Sequence, residues 1–270
     1  MPYLSMQRAI PFADKAHRAQ VVLQPLSLSN IRGLASVLNG SFSRDAASSY
    51  VFGYPSATSL EHGAAVRKTE PLRRAMLRRQ IGNPGVYIYA ALVNNTVAGF
   101  AIWAAPANNQ RPISALLRMY DMLLMAYDQI RFLVFPSLMR EYFDPYTKYR
   151  RRRRKIFMKE DGATEYKITP KEIKEQDYWQ LTALGVSNDF GRRGIGSALL
   201  EWGTQKADEG DKAIMVTASI EGEKLYTRHE FQVIHRAALL KSETENGSGI
   251  PQTYMIRWPR SERKTASGAS

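Results

Sequence analysis

A strand, a glycine-rich turn and a helix follow one another late in the chain and constrain the fold more than any other stretch. Residues 178–186 are β-rich, residues 191–196 read Gly-Arg-Arg-Gly-Ile-Gly, and residues 197–209 have helical spacing. Glycines let main-chain amides approach a ligand closely, and the N–H groups at a helix start attract anions. The unit therefore predicts a diphosphate site, to which Arg192 and Arg193 add positive charge.

Two other phosphate-binding loops fit this turn less well. The P-loop requires Gly-Lys followed by Ser or Thr, which the sequence lacks. The dinucleotide fingerprint has the order G-x-G-x-x-G at the first strand–helix turn, whereas the order here is G-x-x-G-x-G. From the turn alone, a glycine-capped tight turn without a ligand is the alternative interpretation.

The rest of the chain predicts further strands and helices around this unit. Residues 86–93 and 96–105 are β-rich and are joined by Asn94 and Asn95, which tolerate the positive φ of a hairpin turn. Ser27 or Ser29 is a candidate cap for the first helix. Other strands are predicted at 21–26, 212–218, 231–239 and 253–258, the last closing the sheet, and helices at 31–42, 72–81 and 222–229.

Residues 107–177 interrupt this pattern and predict an insertion between the third and fourth strands. Residues 113–135 have the apolar spacing of a long helix, and residues 150–155 form a run of arginines and one lysine. Blocks of like charge are usually solvated, so we expect the basic run to lie on a mobile loop. A nuclear-import signal or a nucleic-acid contact is the alternative, which we do not favour.

Composition excludes several kinds of site. The chain has no cysteine, which rules out disulfides, thiolate metal sites and a catalytic thiol, and its four histidines are not spaced as metal ligands. A formal net charge of +13 favours anionic partners such as a phosphorylated cofactor. Charged residues interrupt the most apolar segment and the N-terminus lacks a secretory core, so we expect a soluble, cytoplasmic protein without membrane contact, or a nuclear one if the basic run acts as a signal.

The motifs around the glycine turn resemble those of the GNAT superfamily of N-acetyltransferases, in which Gln/Arg-x-x-Gly-x-Gly/Ala follows a strand ending in Leu-x-Val. The matching residues here are Leu184, Gly185 and Val186 at the strand end, then Gly191, Arg192, Arg193, Gly194, Ile195, Gly196 and Ser197. The family's later Leu-Tyr and Gly-Phe correspond to Leu225-Tyr226 and Glu230-Phe231. Residues 218–222 look most like fungal members.

The resemblance is firm over residues 178–258, weaker over 20–106 and does not cover the insertion. It implies an α/β fold with a GNAT-like mixed, mostly antiparallel central sheet flanked by helices, to which we add a helical basic insertion. Residues 20–260 then form one domain, preceded by a flexible arm (1–19) and followed by a disordered tail (261–270). The sequence departs from the family at Gly191, where Gln or Arg is usual, and at Glu230, where Gly is usual. The turn before the following strand should therefore differ slightly.

The resemblance also implies a mechanism. Acetyl-CoA is the donor, bound by the ten matching residues from Leu184 to Ser197, and no metal takes part. The Val186 N–H polarises the thioester carbonyl, a primary amine attacks directly, and Tyr226 protonates the departing thiolate as general acid. The alternative for Tyr226 is an aromatic ring that only packs beneath the ligand. The general base stays open among Glu70, Asp45, Glu141 and a chain of waters.

Three assignments of function remain open. We favour a small-molecule amine, because the basic surface argues against docking a basic protein tail. A protein lysine or histone acetyltransferase is the first alternative, and a non-catalytic regulator that binds CoA or nucleic acid is the second. The surfaces that choose the acceptor are expected in residues 43–80 and in the insertion, and the sequence does not predict the oligomeric state.

Overall fold

The structure is a computed structural model that describes residues 21–110, 145–171, 173, 177–243 and 247–267, with a few residues between 119 and 130. The strands in this part of the chain are Val21–Pro25 (β1), Val86–Val93 (β2), Thr96–Ala104 (β3), Trp179–Val186 (β4), Ile214–Ala218 (β5), Gln232–Leu239 (β6) and Ile250–Arg257 (β7). The helices are Ile31–Phe42 (α1), Ala46–Phe52 (α2), His62–Lys68 (α3), Glu70–Gln80 (α4), Pro145–Ile168 (α5), Ile195–Glu209 (α6), Ile220–Arg228 (α7) and Arg260–Ser267 (α8). Among these helices, none is long and apolar enough to cross a membrane.

All seven of these strands form one sheet in the order β1-β2-β3-β4-β5-β7-β6. Only β4 and β5 run parallel, and the other neighbours are antiparallel. This confirms the predicted mixed, mostly antiparallel sheet flanked by helices. The last strand in the sequence, β7, lies between β5 and β6, so the sheet ends at β6 and not at the strand predicted to close it.

Alternation of side chains along the strands gives the sheet two buried faces. On the α6 face, Trp103, Trp179 and Val216 belong to the core cluster that α6 and α7 cover. On the α1 face, Ile88 and Phe100 pack against α1 and α4. A ligand that enters between two strands therefore meets different helices on either side.

The predicted β2–β3 hairpin is confirmed, and its turn residues Asn94 and Asn95 both have positive φ, 49° and 63°. The predicted serine cap of α1 is wrong. The Ser27 and Ser29 hydroxyl groups bond to each other at 2.8 Å. Asn30 occupies the N-cap position, but its side chain bonds backward to the main chain at Ser27 and Pro25 instead of to the helix.

The basic run 150–155 lies within α5, which agrees with a helical basic insertion and not with a loop. Arg152, Arg154 and Lys155 are exposed, as expected of a solvated run. The helix packs against α2 and β6. Arg153 donates to the main-chain oxygen of Tyr50 at 3.2 Å and its guanidinium lies 4.7 Å from the centroid of the Tyr50 ring. Phe157 is buried in the same cluster. At least one arginine of the run therefore holds the helix on the domain.

Two other predicted segments differ or cannot be compared. Residues 261–267, predicted to belong to a disordered tail, lie in α8, where the Ser261 N–H donates to Asp211 at 2.9 Å. The predicted arm 1–19, residues 268–270 and most of the predicted helix 113–135 lie outside the described residues.

Candidate active site

A cleft opens between β4 and β5. Their parallel pairing joins residues 179–181 to residues 214–216 and then stops, although β4 continues through residues 182–186. The register between β3 and β4 shifts beside Ile102 and leaves Thr182 as an extra residue on β4. Such a bulge bends its strand, and this one lies where the pairing with β5 ends. The bulge therefore lies at the point where the two strands separate.

The main chain of Val186 faces this cleft. The Ser187 N–H donates to the Ala98 oxygen on β3 at 2.8 Å, and Val186 lies opposite Gly99. Since successive residues of an antiparallel strand direct their main-chain groups to opposite sides, those of Val186 point away from β3. The Val186 oxygen accepts from the Ser41 hydroxyl at 3.1 Å. The Val186 N–H therefore lies on the cleft side of β4.

The turn 191–196 leads from β4 into the N-terminus of α6. Gly194 is the N-cap residue in the left-handed conformation, with φ 77°, and no side chain of the described residues caps the helix. The first N–H groups of a helix lack intrahelical acceptors and carry its positive dipole end. Arg192 and Arg193 beside them are exposed. The turn therefore presents main-chain donors and positive charge, which fits the phosphates of a nucleotide.

Gly196 brings three elements together. A Cβ at this position would lie 3.2 Å from Cδ2 of Leu225 on α7, 3.7 Å from Cδ2 of Leu184 and 3.8 Å from Cγ2 of Val186. Only glycine allows this approach without displacing a neighbour. The structure thus places the end of β4, the first turn of α6 and α7 next to one another, as the sequence motif requires.

Tyr226 lies on α7, whose N-terminus is capped by the Ser219 hydroxyl accepting from the Gly222 N–H at 3.3 Å. Its side chain is 6% exposed, and its ring centroid lies 5.7 Å from that of Phe231. Burial raises the pKa of the Tyr226 phenol, which keeps the group protonated at neutral pH. The side chain is therefore a protonated phenol packed in the core, one residue after Leu225, which lies against Gly196.

His229 is a residue near the turn that sequence reasoning missed. Its Nε2 lies 3.1 Å from the hydroxyl of Ser197 on the first turn of α6. Burial lowers the pKa of His229, and the charge of Arg257 lowers it further, against the smaller effect of Glu230. A neutral imidazole therefore fixes Ser197 relative to the end of α7. A histidine without regular spacing to other polar residues gave no signal in the sequence.

Glu230 shows why glycine is usual at its position in the family that the sequence resembles. Its φ is 68°, a left-handed conformation that costs a residue with a side chain some strain. Its carboxylate accepts from Arg257 at 3.2 Å and also pairs with Arg263. Arg257 in turn donates to both carboxylate oxygens of Asp208 at 2.7 and 2.9 Å. The turn keeps the glycine-like backbone, and ion pairs hold it.

Two carboxylates lie across the sheet from α6, near the start of the cleft. Asp161 on α5 accepts from the Tyr254 hydroxyl at 2.7 Å, and Glu165, one turn later, accepts from Gln180 at 2.9 and 3.0 Å. Tyr254 is paired with Thr217, one residue beyond the last contact of β5 with β4. These side chains therefore bracket the point where the strands part, on the α1 face.

The environment of both carboxyls raises their pKa values above the ordinary range. Burial raises the pKa of Asp161, and the hydrogen bond from Tyr254 opposes this only in part. Burial and then the charge of Asp161 raise the pKa of Glu165, against hydrogen bonds from Tyr178 and Gln180. Neither carboxylate pairs with a cation among the described residues. A ligand cation would relieve both effects.

The three acids that the sequence left open as general base have other surroundings. Asp45 accepts from the Ser48 N–H at 2.7 Å and caps α2. Glu70 lies 3.8 Å from Arg74 on the same helix. Glu141 lies outside the described residues. The sequence gave no reason to choose Asp161 or Glu165, because both lie in the insertion, far along the chain from the strands they contact.

Comparison with known proteins identifies the fold. No family model matches the chain, and no curated protein matches its sequence. Solved structures do match. The fold is that of the GNAT N-acetyltransferases.

Three of these structures overlap this chain over 88% of its length and cover 98% of their own. Arylalkylamine N-acetyltransferase 2 from Aedes aegypti has 13% identity and a TM-score of 0.52. A polyamine N-acetyltransferase from Drosophila melanogaster, which forms N-acetylagmatine, has 11% identity and a TM-score of 0.51. An agmatine N-acetyltransferase has 12% identity and a TM-score of 0.50. At such identities the likeness establishes the fold alone, and the resemblance to fungal members stays a prediction.

Proposed function

We propose that this protein is an acyl-CoA-dependent N-acetyltransferase that moves the acetyl group of acetyl-CoA to a primary amine of a small molecule. One observation carries the proposal: β4 and β5 separate beyond residues 181 and 216, and the cleft lies beside an α6 N-terminus without a side-chain cap. A sheet with an open seam and a main-chain anion site at its end suits an extended ligand with a phosphate group.

The residues from Leu184 to Ser197 are the proposed donor site. The turn 191–196 and the first amides of α6 bind the diphosphate, with Arg192 and Arg193 at its exposed side. The pantetheine arm lies along the open edge of β4, where main-chain groups can bond to it as to an added strand. The Val186 N–H then donates to the thioester oxygen and stabilises the negative charge that develops there.

The reaction proceeds by direct attack of the neutral amine on the thioester carbon. The C–N bond forms, the C–S bond breaks, and the amine proton leaves to a base. Tyr226 gives its phenolic proton to the departing sulfur and regains one from solvent. Burial keeps the phenol protonated until the C–S bond breaks, and Tyr226 must then regain a proton so that no phenolate stays in the core.

The acceptor enters from the α1 face in this proposal. A primary amine is an ammonium ion at neutral pH and would be attracted to Asp161 and Glu165, which have no cationic partner among the described residues. An acid with a raised pKa near the cleft is also suited to accept the ammonium proton. Among the polyamine, agmatine and arylalkylamine acetyltransferases of this fold, the named acceptors are amines, which supports this choice.

A thiol-release assay tests the proposal. Purified full-length protein is incubated with acetyl-CoA and a panel of small amines, and CoA binding is measured separately by calorimetry. Turnover with at least one small amine is the expected result. Turnover confined to lysine peptides would favour the protein acetyltransferase, and binding without turnover would favour the regulator. Absence of CoA binding would remove the enzyme assignment and leave only the fold.

A further inference from the structure

A buried arginine that has no anionic partner in the described part of the chain lies in the lobe formed by α2, α3 and α4. Arg73 is 6% exposed, and its guanidinium carbon lies 4.4 Å from the centroid of the Phe52 ring. Its Nη2 donates to the Tyr54 hydroxyl at a long 3.4 Å, and its Nε has no hydrogen-bond partner among the described residues. No carboxylate of those residues lies within ion-pair distance of it.

The hydroxyl groups around Arg73 supply no negative charge. Thr69 donates its proton to the Val66 oxygen at 2.7 Å, so its oxygen accepts from Tyr54 at 2.9 Å. With its own proton so used, the Tyr54 oxygen accepts from Arg73. Each proton in this chain points away from Arg73 towards the next acceptor. The arrangement orients the guanidinium but leaves its charge without compensation.

A second unsatisfied group borders the same tyrosine. His62 is 9% exposed, and its ring centroid lies 5.9 Å from that of Tyr54. Its Nδ1 lies 2.9 Å from the Pro55 carbonyl oxygen, which can only accept, so Nδ1 carries the proton. Nε2 is buried and has no partner among the described residues. Two neighbours of Tyr54, Arg73 and His62, thus each have a buried nitrogen with no hydrogen-bond partner among the described residues.

A buried cation without an anion is unstable unless other contacts offset the hydration free energy that it has lost. The contact with Phe52 recovers only part of that energy. Arg257, which is also 6% exposed, shows the usual solution, with Asp208 and Glu230 bound to its guanidinium. Arg73 has the same burial and lacks that solution, which indicates that its partner is a ligand.

We propose that Arg73, oriented by Tyr54, binds a small oxyanion, either a carboxylate or a phosphate group. A guanidinium offers two parallel donors to either group, and a buried setting strengthens the bond. The site lies in residues 43–80, the part of the chain expected to choose the acceptor. It stands apart from the donor turn 191–196 and does not depend on the acetyltransferase assignment.

Thermal unfolding of the full chain in acetate, phosphate and chloride, at equal ionic strength, tests this site. Wild type is compared with Arg73→Met, which keeps the length but not the charge, and with Arg79→Met, an exposed arginine on the same helix. Acetate or phosphate should raise the melting temperature of wild type and Arg79→Met and leave that of Arg73→Met unchanged. In chloride alone, Arg73→Met should have a higher melting temperature than wild type, because the substitution removes a buried charge that has no partner.

Gly194→Glu separates this site from the donor turn, which phosphate also fits. It should retain the acetate-dependent shift that Arg73→Met loses. Calorimetric titration with acetate and with phosphate should give at least tenfold weaker binding in Arg73→Lys than in wild type. This variant keeps the charge but loses the two parallel donors. The anion that binds wild type more tightly identifies the group. An anion shift of equal size in Arg73→Met, or a lower melting temperature of that variant in chloride, would overturn the proposal.

Discussion

Charged side chains on the two faces of the sheet have different kinds of partner. On the α6 face, Arg257 and Arg263 share the carboxylates of Asp208 and Glu230, and every charge of that group has an opposite neighbour. On the α1 side, Asp161, Glu165 and Arg73 have hydroxyl and amide partners but no opposite charge among the described residues.

This difference separates charges that stabilise the fold from charges that we propose to pair with a ligand. The paired group on the α6 face joins α6, β7 and α8 and needs nothing further. The unpaired groups lie where the proposed acceptor enters and in the lobe beside it. Breaking a charge should therefore have opposite consequences on the two sides.

The largest expected effect concerns the donor turn. Gly194→Glu places bulk and negative charge at the N-terminus of α6 and imposes a left-handed φ on a residue with a side chain. We expect loss of measurable CoA binding in calorimetry, on the order of a thousandfold or more in affinity, like that of an unpaired charge in a phosphate site. Gly40→Glu is the matched control, because a Cβ there meets no atom within 4 Å. Equal CoA affinity in the two variants would place the phosphates elsewhere.

The next effect concerns the proton donor. Tyr226→Phe removes the hydroxyl and keeps the ring that packs on Phe231, so kcat should fall roughly 100-fold, within the range of general acid catalysis. CoA affinity should change little. A variant with wild-type kcat would assign Tyr226 to packing alone.

Arg257→Met and Arg73→Met test the comparison of buried charge by stability. Arg257→Met leaves Asp208 and Glu230 with fewer cations and should lower the free energy of unfolding by about 3 kcal/mol. That corresponds to a melting temperature lower by roughly 6–12 °C. Arg73→Met should instead raise it. Changes of the same sign in both variants would contradict the distinction between the two sides.

The smallest effect is in the pH dependence of stability. Burial by itself would raise the pKa of Asp208, but the hydrogen bonds and charges of Arg257 and Arg263 outweigh it and lower the pKa. Asp208 therefore stabilises the fold above its unfolded pKa, and this contribution is lost as pH falls through the lower folded value. The raised pKa of Asp161 has the reverse effect, with stability lost as pH rises from the unfolded towards the folded value.

Urea unfolding of Asp208→Asn and Asp161→Asn across acidic to neutral pH measures both signs. Relative to wild type, Asp208→Asn should be least stable at neutral pH and should approach wild type as pH falls. The free energy of unfolding of Asp161→Asn, relative to that of wild type, should increase as pH rises. Parallel curves for the two variants would show that the two carboxyls have similar environments.

The strand, turn and helix of the proposed donor site could be predicted closely because their signals are local. The strand end at Leu184–Val186, the turn and the start of α6 are consecutive, so glycine spacing and apolar pattern describe them directly. The bulge at Thr182, which lies where β4 separates from β5, is visible only in the register against β3.

The sequence by itself determined the order of the strands, the hairpin at Asn94-Asn95 and the glycine turn, since each depends on neighbours in the chain. The tertiary structure alone decided that Glu165 on α5 meets Gln180 on β4, that Arg73 is buried with no anion beside it among the described residues, and that Glu230 is held by two arginines. Burial and charge pairing depend on which distant segments pack together, and a single sequence carries no direct record of those contacts.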